Sequence, residues 1–167
     1  MTDLAGLVSL LKREPRGYTL AHTFPTSAHA MWLYYRLASA GVNPLSDVKC
    51  IVVPAPQMVS NMDAGNMDEF SAREPWNHRA ILKGAGISAA TSQDVWMDHP
   101  ENVLGTRADF VKQNPNTARA VTIASLEASR WIDASLQNKM KMAETMAQKP
   151  YINASVGAIY QRLWPAT

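Results

Sequence analysis

Thr23-Phe24-Pro25-Thr26-Ser27-Ala28-His29, Val52-Val53-Pro54-Ala55-Pro56-Gln57-Met58 and Glu74-Pro75-Trp76-Asn77 decide how this chain folds. Each lies where a β-run ends and a helix begins, with proline at or beside the break. A strand that feeds directly into a helix, repeated in close succession, is the pattern of a parallel α/β sheet. Such junctions also gather ligand-contacting side chains and helix N–H groups, so a single cleft for an anionic ligand is the first expectation.

Working outward, residues 19–24 form a strand stopped by Pro25. Ser27 is suited to cap a helix running to about Ala40, with Gly41 as its stop. Apolar side chains at 31, 34, 35 and 38 give that helix an expected buried stripe. The run 48–53 has no polar alternation beyond Lys49, as expected of a central strand covered on both faces. A helix follows Pro56 and closes at Gly65; Met67 to Ala72 is a third strand. Glu74 to Leu82 is a third helix with Pro75 in its first turn, and Ile87 to Val95 reads as a fourth β-run.

The pattern changes after Pro100. Helices are expected over 117–133, with Asn116 as cap, and over about 138–148 and 153–163. The fold class is therefore α/β: a parallel-sheet lobe over 19–96, preceded by a lead-in over 1–18 and followed by a helical segment over 97–167.

Composition narrows the function classes. The 167 residues are 47% hydrophobic and 18% charged, ordinary for a globular domain with a full core. A net charge of +2, with scattered Lys and Arg, gives no support to nucleic-acid binding. No apolar stretch approaches the roughly 20 residues needed to cross a bilayer, so no membrane insertion is expected. One cysteine, Cys50, precludes an intramolecular disulfide and reads as a buried small residue. The first 18 residues lack a basic stretch followed by an apolar core and cleavage site; they read as an amphipathic helix over about 3–12, with no export signal.

Five junction residues could bear on a ligand, each with an ordinary structural role beside it. His29, in a helix's first turn, suits an anion or serves as a surface or capping histidine. Arg73 offers a planar fork of donors to nitrate, bicarbonate or carboxylate, or is a solvated surface side chain. Glu74 lines the cleft or stabilises its helix dipole, Trp76 stacks or packs, and Gln57 donates an amide hydrogen bond or simply starts a helix. Asp94, Asp98, His99 and Glu101 superficially resemble metal ligands, but Asp-His-Pro-Glu-Asn reads as a turn, and no metal site is assigned. Neither a nucleophile elbow nor a phosphate-binding loop is present, so no catalytic residue is assigned and an enzyme is not expected.

Taken together, Thr23-Phe24-Pro25, Ser27-Ala28-His29, Pro56-Gln57-Met58-Val59, Gly65-Asn66-Met67-Asp68, Glu74-Pro75-Trp76-Asn77, His99-Pro100-Glu101, Leu104-Gly105 and Asn114-Pro115-Asn116 resemble the nitrate/bicarbonate branch of the periplasmic solute-binding proteins of ABC transporters. The likeness runs colinearly over about residues 19–164 and implies the type II periplasmic-binding-protein fold. It makes 19–96 the second lobe and the helices over 97–167 a return into the first. By resemblance, His29 contacts the anion, Ala72 lines the pocket through its backbone, and Asn102 stands where nitrate binders carry lysine and bicarbonate binders a calcium-holding glutamate. Asn102 supplies neither, so no cofactor is implied, and calcium is disfavoured. Arg73 occupies a position where the family tends to have a small residue, and it is the expected replacement for the missing cation.

The resemblance implies the substrate-binding component, here about half its usual length, of a nitrate or oxyanion uptake system. Its partners would be the anion and the transporter's membrane subunits, in the periplasm. Two other readings stand beside it. One is a cytoplasmic nitrate-responsive sensor that contacts a regulatory protein, favoured by the absence of an export signal. The other is a non-binding fragment that forms a homo-oligomer through exposed apolar surface.

Overall fold

A computed structural model describes residues 17–163 together with Ser9. The helix expected over 3–12 therefore lies outside the described residues. The chain divides between His99 and Pro100 into two compact units.

The first unit is built on three parallel strands: β1 (Thr19–His22), β2 (Lys49–Val52) and β3 (Glu69–Ser71). Their order is β2-β1-β3. Thr19 pairs with Lys49 and His22 with Val52 on one side, while Leu20 pairs with Glu69 and His22 with Ser71 on the other. The central strand is β1, whose Leu20, Ala21 and His22 are buried, and the run expected at the centre forms an edge instead. Val52, on that edge, is 53% exposed. An uninterrupted apolar run cannot by itself distinguish centre from edge when a neighbouring strand fills the middle.

Helix α1 (Ala28–Ser39) links β1 to β2 and begins as its sequence dictates. Pro25 ends the strand, and the Ser27 hydroxyl accepts from Ala30 N at 3.1 Å, satisfying an orphan N–H of the first turn. Gly41, at φ +74°, takes the left-handed turn that ends the helix. The buried face, however, is Ala30, Leu33 and Leu37. Leu33 and Leu37 join Tyr18, Leu20 and Val42 in the core, with Tyr34, Val48 and Cys50 packed against them. Of the expected stripe, Met31, Tyr35 and Ala38 are exposed. The chain chose the branched aliphatic face because those side chains fit the pleated surface of β1.

Helix α2 (Ala55–Asp63) starts from Pro54 and buries Met58 and Val59. Helix α3 (Trp76–Leu82) starts from Pro75, which is the cap residue and not a first-turn residue, and buries Trp76 and Ala80. Residues 85–90 take no regular structure, and Ser92–Val95 is a short helix, α4, so the fourth strand does not form. Its start is fixed by reciprocal capping: Asp94 N donates to Thr91 Oγ1, and Thr91 N donates to Asp94 Oδ2 at 2.7 Å. Small and β-branched residues make a strand only where a neighbouring edge accepts them, and a local cap competes directly. Ile87 is accordingly 89% exposed.

The second unit is helical, as expected: α5 (Ala108–Gln113), α6 (Pro115–Asp133), α7 (Leu136–Met146) and α8 (Val156–Tyr160). Asn114 is the cap of α6, with Pro115 in its first turn, two residues before the expected cap Asn116. Ala143, Ala158 and Ile159 are buried where α7 and α8 pack. Among the described residues, no helix is long and apolar enough to cross a membrane.

Candidate functional site

In an open parallel sheet, ligands collect beyond the carboxyl ends of the strands, at the point where the strand order reverses. With the order β2-β1-β3, that point lies between β1 and β3. The loop leaving β1 carries Thr23 to His29, and the loop leaving β3 carries Ala72 to Pro75. Gln57 follows β2, on the far side of β1, and is exposed. The topology thus sets the loop bearing His29 and the loop bearing Ala72, Arg73 and Glu74 after the carboxyl ends of neighbouring strands, while Gln57 follows the strand on the other side of β1.

The first loop is tied to its helix by a compact set of bonds. Thr23, 8% exposed, donates through Oγ1 to Ser27 Oγ at 3.3 Å, and Ser27 Oγ donates to the Phe24 carbonyl at 2.7 Å. His29 is half-buried in the first turn of α1. At 3.6 residues per turn it shares a stripe with Trp32 and Arg36. Arg36 Nη1 is ion-paired with Glu69, the first residue of β3, which turns this part of the stripe toward β3. Trp32, between them, meets His99 with ring centroids 4.6 Å apart and Trp96 at 6.1 Å.

The second loop is equally constrained. The Asn77 amide donates to the Ala72 carbonyl, and Ala72 itself is buried. Glu74 Oε2 accepts from His78 N at 3.0 Å, so its carboxylate closes the first turn of α3. Trp76 is 6% exposed and packs into the core, with the Arg79 guanidinium 5.9 Å above its ring; it offers no open face for stacking. Arg73 is exposed, with no side-chain partner among the described residues, at the junction itself. Asn102 is exposed and belongs to the second unit. Among the described residues, no group of three or more His, Cys, Asp or Glu side chains could hold a metal.

Two residues around α1, His22 and Trp32, escape the sequence reading, and a third, His99, figures there only as a superficial metal ligand and as part of a motif. His22, 2% exposed at the end of β1, bonds through Nε2 to Tyr34 Oη at 3.1 Å. Burial lowers its pKa, opposed by the Phe24 backbone without closing a hydrogen bond on Nδ1. Trp32 and His99 complete the group. His22 carries no positional signal, and nothing in the sequence marks His99 as a partner of Trp32; each histidine's pairing with an aromatic on α1 exists only after folding. The opposite side of α1 faces an open groove of about 740 Å³, lined by Pro25, Met31, Tyr34, Tyr35 and Pro44 among others.

The NMT1-like family model matches residues 1–147. The chain is 38% identical over 151 residues to the nitrate/nitrite binding protein NrtA of Nostoc sp., covering 90% of this chain and 34% of that protein. It is 37% identical over 151 residues to the bicarbonate transport ATP-binding protein CmpC of Synechocystis sp., covering 90% of this chain and 22% of CmpC. The crystal structure of the periplasmic nitrate-binding protein NrtA from Synechocystis superposes with a TM-score of 0.85 at 36% identity, over 97% of this chain and 42% of that one. The chain therefore spans about a third of the length of the nitrate/nitrite-binding relative it matches.

Proposed function

Because the chain belongs to the NMT1-like family, we propose that it is the anion-contacting portion of a substrate-binding component for a small oxyanion, nitrate first, in an ABC-type uptake system. The observation that supports this reading is the superposition of nearly all of this chain on part of a periplasmic nitrate-binding protein. The relatives' names describe binding and transport components, and the chain is read here as a binder, not a catalyst.

In this reading, His29 contacts the anion from the first turn of α1, where the helix dipole favours negative charge. The backbone around Ala72 lines the pocket, held in place by Asn77. Arg73 supplies the cation, its planar donors matching a planar oxyanion. Glu74 and Trp76 act by fixing α3 and the loop before it. Asn102 brings neither a positive charge nor a strong cation ligand, which disfavours a calcium-dependent bicarbonate site and leaves the cationic contact to Arg73. The natural place for such a component is the periplasm, beside the membrane subunits of its transporter.

The test is isothermal titration calorimetry of the chain with nitrate, then with bicarbonate in the presence and absence of calcium. Saturable heat with nitrate, unchanged by calcium, is the expected result. A folded sample that takes up neither anion would overturn the reading.

A further inference from the structure

Trp32 Nε1 and Arg36 Nε are both buried, and neither meets a hydrogen-bond acceptor among the described residues. Both groups are donors only, and folded proteins seldom leave such groups unsatisfied in the interior. They stand one helical turn apart on the stripe of α1 that begins at His29 and reaches β3 through the Arg36–Glu69 ion pair. Glu69 engages Nη1 and leaves the Nε position of the guanidinium unengaged.

From these two donors we propose that the anion site continues along α1, with Trp32 Nε1–H and Arg36 Nε–H donating to oxygens of the bound oxyanion. The proposal rests on the oxyanion-binding reading above and extends it to two residues. A ligand rich in acceptors and lacking donors satisfies both groups at once; a cation or an ammonium-bearing solute satisfies neither. Two directional donors one turn apart also discriminate by shape, favouring a planar three-oxygen anion over a spherical halide. Trp96, 58% exposed, stands edge-on to Trp32.

The experiment uses the full chain with sodium nitrate as the probe, and sodium chloride as the spherical comparison. Trp32→Phe keeps the ring and removes the N–H; Arg36→Lys keeps the charge and removes Nε. Each is expected to weaken nitrate binding about 10- to 100-fold, the loss that accompanies a hydrogen bond to a charged group, while the unfolding midpoint stays near that of the parent chain. The indole N–H resonance of Trp32, assigned by its absence in Trp32→Phe, is expected to shift and saturate together with the calorimetric heat. Unaltered nitrate affinity in Trp32→Phe, or an indole resonance that stays fixed at saturation, overturns the inference while leaving the oxyanion reading in place. Absence of nitrate binding by the parent chain overturns both. Should Arg36→Lys lose its fold with its ion pair, the Trp32 variant and the indole resonance decide alone.

Discussion

His22 Nε2 lies 3.1 Å from Tyr34 Oη, with the two rings 84° apart, inside the layer between the central strand and α1. The geometry joins the last residue of β1 to the helix that starts six positions later, immediately beneath the Thr23–Ser27 loop. Tyr34 also interacts with Cys50 of β2, and burial pushes both of those groups up. The imidazole is therefore held neutral among groups that are themselves uncharged near neutrality.

The pH consequence follows from the direction of the His22 shift. Its pKa in the folded chain is below the ordinary value of about 6.5, so the unfolded chain binds the proton more readily. The His22 contribution to stability is then complete above about pH 6.5 and is lost as pH falls from there toward the lower folded value. Thermal unfolding of the parent chain and His22→Gln, compared at intervals between pH 8 and 5, should show a steeper acid decline in the parent. Parallel profiles would remove His22 as the cause.

Ser27 offers a second test, at the start of α1. Its hydroxyl accepts from Ala30 N and donates to the Phe24 carbonyl, so one side chain both caps the helix and folds the preceding loop. Ser27→Ala should cost about 0.5–2 kcal/mol in denaturant unfolding, the usual range for a lost cap. Ser27→Asp keeps an acceptor for Ala30 N and should recover most of that loss. Its added negative charge, beside the proposed anion site, should nevertheless weaken nitrate binding.

How much of this could be read from the chain follows the range of the forces involved. Pro25 with Ser27, Pro54 with Pro56, and Pro75 act over a few residues, so the three strand-to-helix breaks are legible in the sequence. The burial stripe of α1 is not. Met31 and Tyr35 are as apolar as Leu33 and Leu37, and only the positions of β1, β3 and the segment bearing Trp96 decide which side is covered. The same limit explains Ile87 to Val95, whose β-branched residues had no strand edge to join while Thr91 and Asp94 had each other. Trp32 and Arg36 looked like one more aromatic and one more surface charge; their isolation from acceptors is a property of the packed layer.

Asn77 supports the loop between β3 and α3 by donating its amide to the Ala72 carbonyl. Asn77→Asp is nearly isosteric but replaces the donor with an acceptor, setting two oxygens against each other beside a buried residue. A loss of about 1–3 kcal/mol in unfolding free energy is expected, because the carbonyl is left without its partner. Since Ala72 lines the proposed pocket, nitrate affinity should fall as well. A variant as stable as the parent chain would mean that the loop holds its shape without this bond.

Arg73 and Asn102 separate the source of positive charge from a merely polar contact. Arg73 is exposed, unpartnered among the described residues, and placed at the end of β3; Asn102 is uncharged and exposed. If the guanidinium supplies the cation, Arg73→Ala should abolish measurable nitrate binding, and Asn102→Ala should weaken it only modestly. Neither substitution removes a folded-state contact of the Arg73 side chain, so unfolding midpoints should change little, and a binding loss can be assigned to the anion contact itself. Lysine at position 73 should restore binding in part, because it returns the charge without the planar fork. Equal and negligible effects of the two alanine variants would transfer the charge-balancing role away from Arg73, leaving His29 and the α1 stripe to hold the anion.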